Sequence, residues 1–274
     1  MTEHHFETHR PVRLFTEIGK GSVKVEATDT TETHVLIAGR DAEHVTVSQD
    51  GDQITVVAPK ARGGIFGGDN RLDVAITLPT DSLVVIRTGS ADIDVTGTIG
   101  GGELKSGSGN VRIDTTAAAT VIQTGSGDIR VESTQADLRV KSGSGDVLLL
   151  DLAASAVVST GSGDVKVGTT HGPVVVKTGS GDLEVRDAGA DVSMSTGSGD
   201  LVVGAAHRGR LTAKGASGDI QVGIPAGVPV WTDIATVSGA IRSNLNGAGE
   251  PAAGADHVEV RAKTVSGDIV LTEI

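Results

Sequence analysis

Seven polar side chains recur at intervals of 18 residues and are the first candidates for chemistry in this sequence. Each follows a short phrase of Thr or Ser, Gly and Ser, and each precedes an apolar-x-apolar pair. They are Asp92, Asn110, Asp128, Asp146, Asp164, Asp182 and Asp200. Because a strict repeat places equivalent residues above one another, the sequence predicts a column of carboxylates along one edge of the molecule.

Such a column has two chemical interpretations. Neighbouring carboxylates at strand spacing repel each other by roughly 1 kcal/mol when they are solvated. Hydrogen bonds from backbone N–H groups of the same Gly-rich turn would offset this repulsion, and Asn110 can cap a turn without charge. Calcium ions bound between coils would also offset it, as they do in the β-rolls of repeat-in-toxin proteins.

We favour turn capping over calcium binding. In the β-roll turn Gly-Gly-x-Gly-x-Asp one residue separates Gly from Asp, whereas the Asp of the present phrase directly follows its second Gly. The other half of the repeat also lacks a Gly-rich turn. A calcium ladder is therefore the alternative, and its ligands would be Asp92, Asp128, Asp146, Asp164, Asp182 and Asp200.

Other residues with catalytic or metal-binding potential lack the spacing that their chemistry needs. Gly-Ser-Gly recurs in the repeat without the Gly-x-Ser-x-Gly elbow of a nucleophilic serine. The segment 19–22, Gly-Lys-Gly-Ser, lacks the residue order of a phosphate loop. His4, His5 and His9 lie close together, but no Cys or second cluster supports a metal site. We expect no catalytic residue, cofactor or resident metal, and no small-molecule ligand.

The elements that position the column follow from the repeat itself. Residues 127–144 read as two related nonamers, each with one short strand of alternating apolar and polar residues and one turn rich in small residues. Strands that recur every 18 residues favour a flattened parallel β-solenoid with two short strands per coil. Up-and-down antiparallel pairing is the alternative, but it does not explain the 18-residue identity.

The regularity of the repeat predicts one continuous, elongated domain with three parts. Residues 81–222 form the regular solenoid, residues 1–80 form irregular N-terminal coils and a cap, and residues 223–274 form irregular C-terminal coils and a cap. We expect residues 61–70 to form a flexible excursion and residues 244–257 a surface loop. Solenoid ends need covering, and Trp231 at one end and Phe6 or Phe15 at the other could fill that role.

Composition limits the partners and the compartment. The net charge is -12, with 23 basic and 35 acidic residues, which opposes binding to nucleic acid or to an anionic membrane. The chain contains no cysteine, its first residues lack the apolar core of a secretory signal, and no run is long enough to insert into a membrane. We expect a cytoplasmic protein.

The strand faces offer a partner surface. By strand alternation Val121, Val157 and Val175 point outward from one sheet, and Leu148 points outward from the other. Aligned aliphatic side chains on a flat β face predict docking of a protein partner or self-association.

The repeats, together with the endings at residues 224–231 (Ile-Pro-Ala-Gly-Val-Pro-Val-Trp) and 264–269 (Thr-Val-Ser-Gly-Asp-Ile), resemble a bacterial family of β-strand-repeat proteins known as putative adhesins, a domain of unknown function. The resemblance extends from about Phe15 to Ile274. It implies an all-β fold, a right-handed parallel β-solenoid (β-helix), and no catalytic residues.

These observations predict a non-enzymatic structural or interaction protein, a cytoplasmic β-solenoid scaffold that presents regular faces to a protein partner or to itself. A surface-associated adhesin exported by an unrecognised route is one alternative. A calcium-binding module similar to a β-roll is the other.

Overall fold

The computed structural model describes residues 1–59, 71–246 and 256–274, and these residues form 27 β-strands and one short 3-10 helix. They form two compact units, Met1–Leu138 and Arg139–Ile274. The predicted excursion at residues 61–70 and most of the predicted loop at 244–257 lie outside the described residues. Among the described residues no helix is long and apolar enough to cross a membrane.

The first unit contains thirteen complete strands, and nearly all alternate buried and exposed positions. The strands are β1 (Thr2–Glu7), β2 (Arg13–Ile18), β3 (Lys20–Thr28), β4 (Glu32–Gly39), β5 (Thr46–Asp50), β6 (Gln53–Val57), β7 (Arg71–Pro79), β8 (Leu83–Thr88), β9 (Asp92–Ile99), β10 (Gly102–Ser106), β11 (Val111–Thr116), β12 (Thr120–Thr124) and β13 (Ile129–Thr134), with the 3-10 helix at Ala42–His44. A further strand, β14 (Leu138–Ser142), begins at the last residue of this unit.

The regular part of the first unit confirms the predicted stacking. Val111 pairs with Ile129 and Leu104 pairs with Ile122, so parallel neighbours are offset by 18 residues. One sheet has the strand order β1-β4-β7-β3-β9-β11-β13, and the other has β5-β6-β2-β8-β10-β12. Aliphatic side chains from the buried faces of both sheets form the core, as expected for a solenoid with few aromatic residues.

The order of the coils in the first unit does not follow the chain. The coil β2–β3 lies between the later coils β6–β7 and β8–β9. Where the chain crosses from β7 to β8, the Val12 N–H donates to the Ser82 hydroxyl, which donates to the Pro79 carbonyl at 2.6 Å. Ser82 is fully buried, so these two bonds satisfy polar groups that the crossing would otherwise leave unpaired.

Antiparallel pairs close the outer edges of the first unit. Strand β4 pairs antiparallel with both β1 and β7, and β5 pairs antiparallel with β6. The prediction of parallel pairing is therefore correct for the repeats, but these strands at the start of the chain follow the antiparallel alternative. A short connection accounts for β5 and β6, which Gly51 and Asp52 join as a hairpin, because a hairpin needs far fewer residues than a parallel crossover. Strand β4 pairs with β1 and β7 across longer stretches of chain.

The second unit consists of parallel strands. They are β15 (Val147–Leu152), β16 (Ala156–Thr160), β17 (Val165–Thr170), β18 (Val174–Ser180), β19 (Leu183–Ala188), β20 (Val192–Ser198), β21 (Leu201–Ala206), β22 (Gly209–Ser217), β23 (Ile220–Ile224), β24 (Val230–Ser238), β25 (Ile241–Ser243), β26 (Val258–Ser266) and β27 (Ile269–Glu273). The two sheets have the orders β15-β17-β19-β21-β23-β27-β25 and β16-β18-β20-β22-β26-β24.

The last coil of the chain lies between two earlier coils and not at the end of the stack. Strand β26 pairs with β22 on one side and β24 on the other, and β27 likewise lies between β23 and β25. The outermost coil of this unit is therefore β24–β25, which precedes the inserted coil in sequence. We call β24–β25 the terminal coil.

Of the three aromatic residues that we predicted to cover the solenoid ends, Trp231 and Phe15 point outward, and Phe6 is half-buried on β1. Trp231 pairs with Glu259 on an outward position of β24 and is 52% exposed. Phe15 lies between the buried residues Leu14 and Thr16, so it also points outward, under the Arg87 guanidinium at 5.7 Å. Strand alternation decides both orientations, because a bulky ring at an outward position cannot turn into the core without shifting the register.

Candidate interaction surfaces

The Asp column is a hydrogen-bonded ladder between coils. In the first unit the Asn110 N–H donates to Asp92 Oδ1 at 2.8 Å, and the Asp128 N–H donates to Asn110 Oδ1 at 2.9 Å. In the second unit the same bond joins each member to the next at 2.7–3.0 Å, through Asp146, Asp164, Asp182, Asp200, Asp219 and Asp268. In each of these bonds the side-chain oxygen therefore accepts a hydrogen bond from the backbone N–H of the equivalent residue in the neighbouring coil.

This geometry corrects the predicted capping. In the bonds just described the oxygen accepts an N–H of the neighbouring coil instead of one from its own turn, because the parallel register brings that backbone close. The ladder ends at Ala240, whose N–H donates to Asp268 Oδ1 at 2.8 Å. The terminal coil thus donates a hydrogen bond to the ladder, but Ala240 offers no carboxylate to a further coil.

The Thr or Ser that opens each phrase is a residue whose role the sequence analysis missed. Thr124 Oγ1 accepts the Gly127 N–H at 2.9 Å, and Thr160 Oγ1 accepts the Gly163 N–H at 3.1 Å. Both hydroxyls lie at mostly buried positions. In these coils the hydroxyls close the turn from within, which is the task that was predicted for Asp, whereas the Thr178 and Thr196 hydroxyls have no hydrogen-bond partner among the described residues. The three-residue spacing of Thr/Ser and Gly was the available signal.

The glycines of the phrase are required by close backbone contact. A Cβ atom added at Gly163 would lie 2.1 Å from the carbonyl oxygen of Gly145. Any side chain there would force the turns of neighbouring coils apart. The Gly residues and the ladder together therefore serve the stacking of coils, and this part of the phrase has a structural role.

The predicted outward valines and Leu148 are half-buried. Val157 and Val175 are direct cross-strand partners, and Ser193 follows them on β20. Val121 pairs with Glu103 in the first unit, and Leu148 pairs with Lys166 in the second. The second unit thus brings Val157 and Val175 together, whereas polar side chains lie beside Val121 and Leu148.

A more exposed apolar surface lies on the terminal coil. Val237 is 83% exposed, Trp231 is 52% exposed and Ile241 is 47% exposed. Among the described residues no strand pairs with the outer edge of β24 or β25. Beside this edge is a cavity of about 230 Å³, lined by Ile224, Val228, Val230, Thr232, Leu245 and Glu273 among others.

Charged side chains on the outer face hold Trp231 in place. The Arg261 guanidinium lies 5.5 Å from the centre of the Trp231 ring, a cation–π distance. Arg261 also donates from Nε to Glu259 at 2.7 Å, and Arg210 pairs with the same carboxylate. The two guanidinium groups, Arg210 first, lower the pKa of the Glu259 carboxyl. We call Trp231, Val237, Ile241 and Arg261 the terminal-coil surface.

A family model described as Toastrack DUF4097 matches residues 13–186 and 169–272, which is nearly all of the chain. The search of curated proteins found no match.

Solved structures that resemble this chain include a putative adhesin from Bacteroides fragilis at 14% identity and a TM-score of 0.38, with 100% of this chain and 96% of that chain covered. A putative lipid binding protein from Parabacteroides distasonis has 11% identity and a TM-score of 0.36, with the same coverage. A putative cell adhesion protein from Clostridium sporogenes has 9% identity and a TM-score of 0.23, with 100% and 99% covered. Similarity at this level carries no argument about activity or ligand.

Proposed function

This chain belongs to the Toastrack DUF4097 family, and we propose that it is a non-enzymatic interaction protein that binds an extended segment of a partner polypeptide along its terminal coil. The partner is another protein or a second copy of this chain. The proposal includes right-handed winding of the coils and action in the cytoplasm. The observation that carries it is the outer edge of β24, which pairs with no strand of the described residues and lies beside the exposed Trp231.

The backbone of β24 is arranged to accept a strand. The Val258 N–H donates to the Pro229 carbonyl at 2.9 Å, and N–H groups alternate between the two sides of a strand. The backbone groups of residue 229 and of every second residue after it therefore point toward β26. Residue 232 is not in this set, so the Thr232 N–H points away from β26, toward the open edge. An extended segment that pairs there would gain main-chain hydrogen bonds, which is the mode of β-strand addition.

The side chains of the terminal-coil surface favour a protein partner. Trp and Arg are enriched among the residues that contribute most to protein interfaces, and Trp231 and Arg261 lie side by side. Val237 on β24 and Ile241 on β25 are two further exposed apolar side chains of the same coil. By contrast, the edge strand β5 of the first unit reads Thr-Val-Ser-Gln-Asp, a polar edge of the kind that discourages pairing.

The test compares how well the wild-type chain and two variants at Thr232 capture partners. Thr232→Pro removes one outward N–H, and proline is tolerated at edge strands whose N–H faces solvent. Thr232→Val keeps the N–H and is the matched control. In pull-downs from the native host read by mass spectrometry, and in sedimentation of the purified chain, we expect Thr232→Pro to lose the complex at least tenfold and Thr232→Val to retain it. Equal binding by all three forms contradicts the proposal.

The aliphatic pair Val157 and Val175 offers a second surface, and the same assay separates it. Lys at both positions places two charges on that face and leaves β24 unchanged. If Val157→Lys with Val175→Lys abolishes the complex while Thr232→Pro retains it, the partner docks on the flat face instead. Cell fractionation tests the compartment, because an adhesin must be found outside the membrane.

A further inference from the structure

Three side chains from two strands of the first unit converge on one point of the surface. Glu3 and His5 share a face of β1, and His5 is the direct antiparallel partner of His34 on β4. His34 Nε2 lies 2.8 Å and His5 Nε2 lies 3.1 Å from the same oxygen, Glu3 Oε1. The two imidazole rings are stacked, with centroids 4.3 Å apart and planes 13° apart.

Two imidazole nitrogens and one carboxylate oxygen form a ligand set that zinc uses in proteins. Bonds of about 2.1 Å in a tetrahedral complex place neighbouring ligand atoms about 3.4 Å apart. All the candidate ligand atoms lie within 4.8 Å of one another, so their separations would need to shorten by at most about 1.4 Å to admit an ion. The site faces solvent, which leaves a fourth position for water.

Strand β4 holds His34 on a firm base. Strand β4 is paired on both sides, with β1 and β7, and the residues on either side of His34 are buried. His4 and His9, which the sequence grouped with His5, do not belong to this cluster.

The next pair along the same face provides further reason for a cation. Glu7 is directly opposite Glu32, two residues beyond His5 and His34 respectively, and both are exposed. Like charges directly opposite each other destabilise an antiparallel pair. With Glu3, this face carries three carboxylates beside two imidazoles, and a divalent cation would reduce their repulsion.

We propose that Glu3, His5 and His34 bind a zinc-class divalent transition-metal ion that joins β1 to β4. The ion replaces the two hydrogen bonds of Glu3 with three ligand bonds and keeps water in the remaining position. Its binding stabilises the folded state, because the three ligands come together only when the two strands pair.

The experiment uses the full chain without a polyhistidine tag. Zinc binding is measured by titration calorimetry, and cobalt serves as a spectroscopic probe of imidazole and carboxylate ligands. We expect one zinc ion per chain at this site, a cobalt absorption band, and a higher Tm in the presence of zinc. His34→Ala and Glu3→Gln should each weaken zinc binding at least tenfold and remove the Tm shift.

His171→Ala is the matched control, because His171 also lies near one carboxylate, 3.9 Å from Asp151, without a second histidine. It should leave zinc affinity unchanged. Circular dichroism without metal verifies that the variants fold. The side chains of Glu3 and His34 both lie on a solvent-facing surface, so their substitution should not disturb the core. The proposal fails if the wild type shows neither zinc binding nor a cobalt band, or if His34→Ala binds zinc as tightly as the wild type.

Discussion

Each Asp of the ladder accepts a backbone N–H from the neighbouring coil, and Asn110 accepts the same bond in the same column. An oxygen acceptor of the right length is therefore what the position requires. The carboxylate charge is not needed for this bond, and it adds repulsion between coils. Residue chemistry alone identified the column, but the partner of each oxygen depends on how coils stack.

Asp164 tests this distinction between acceptor and charge. Its Oδ1 accepts the Asp182 N–H at 3.0 Å. We expect Asp164→Ala to reduce the free energy of unfolding by about 1 kcal/mol, since one hydrogen bond is lost. Asp164→Asn keeps the acceptor and should leave stability unchanged or slightly higher. Urea denaturation measures both, and an Asn variant as unstable as the Ala variant would show that the charge itself is required.

At the scale of elements, strand and turn have separate determinants. Apolar alternation fixes which face of each strand is buried, and the Thr or Ser hydroxyl with the Gly residues fixes the turn. The sequence predicted the strands, and most of the Thr and Ser residues that open the phrases are buried. It assigned turn closure to the wrong side chain, because both Asp and Thr can accept the same N–H groups.

Thr160 tests the hydroxyl closure. Thr160→Val has nearly the same shape but removes the acceptor of the Gly163 N–H, so we expect a loss of about 1–3 kcal/mol in unfolding free energy. Thr160→Ser keeps the hydroxyl, and Ser occupies the equivalent positions 106 and 142, so its loss should be smaller. Thermal and urea unfolding compare the two. Equal losses would indicate that packing of the methyl group, and not the hydrogen bond, matters at this position.

At the scale of the whole molecule, the ladder and the chain ends have different tasks. The ladder connects coils within each unit, whereas the exposed apolar side chains of the second unit concentrate toward its terminal coil and the adjacent C-terminal strand. Function is therefore better sought at the edges of the sheets than along the repeat. Both candidate sites, the terminal-coil surface and the Glu3–His5–His34 cluster, lie on strands outside the regular part.

Calcium distinguishes a structural ladder from a row of binding sites. Because one oxygen of each carboxylate accepts a backbone N–H, we expect millimolar calcium to leave Tm unchanged. Differential scanning calorimetry with calcium, and then with excess chelator, measures this directly. A rise in Tm that the chelator reverses would support the β-roll alternative.

The sequence by itself determined the strands, their buried faces and the 18-residue register of the repeats, because these depend on local alternation and exact periodicity. It also identified the family. Only the tertiary structure decided that β26 and β27 enter between earlier coils, that Trp231 points outward, and that His34 meets His5 and Glu3. Those features depend on pairing between strands distant in sequence and outside the repeat, where no period specifies which strands become neighbours.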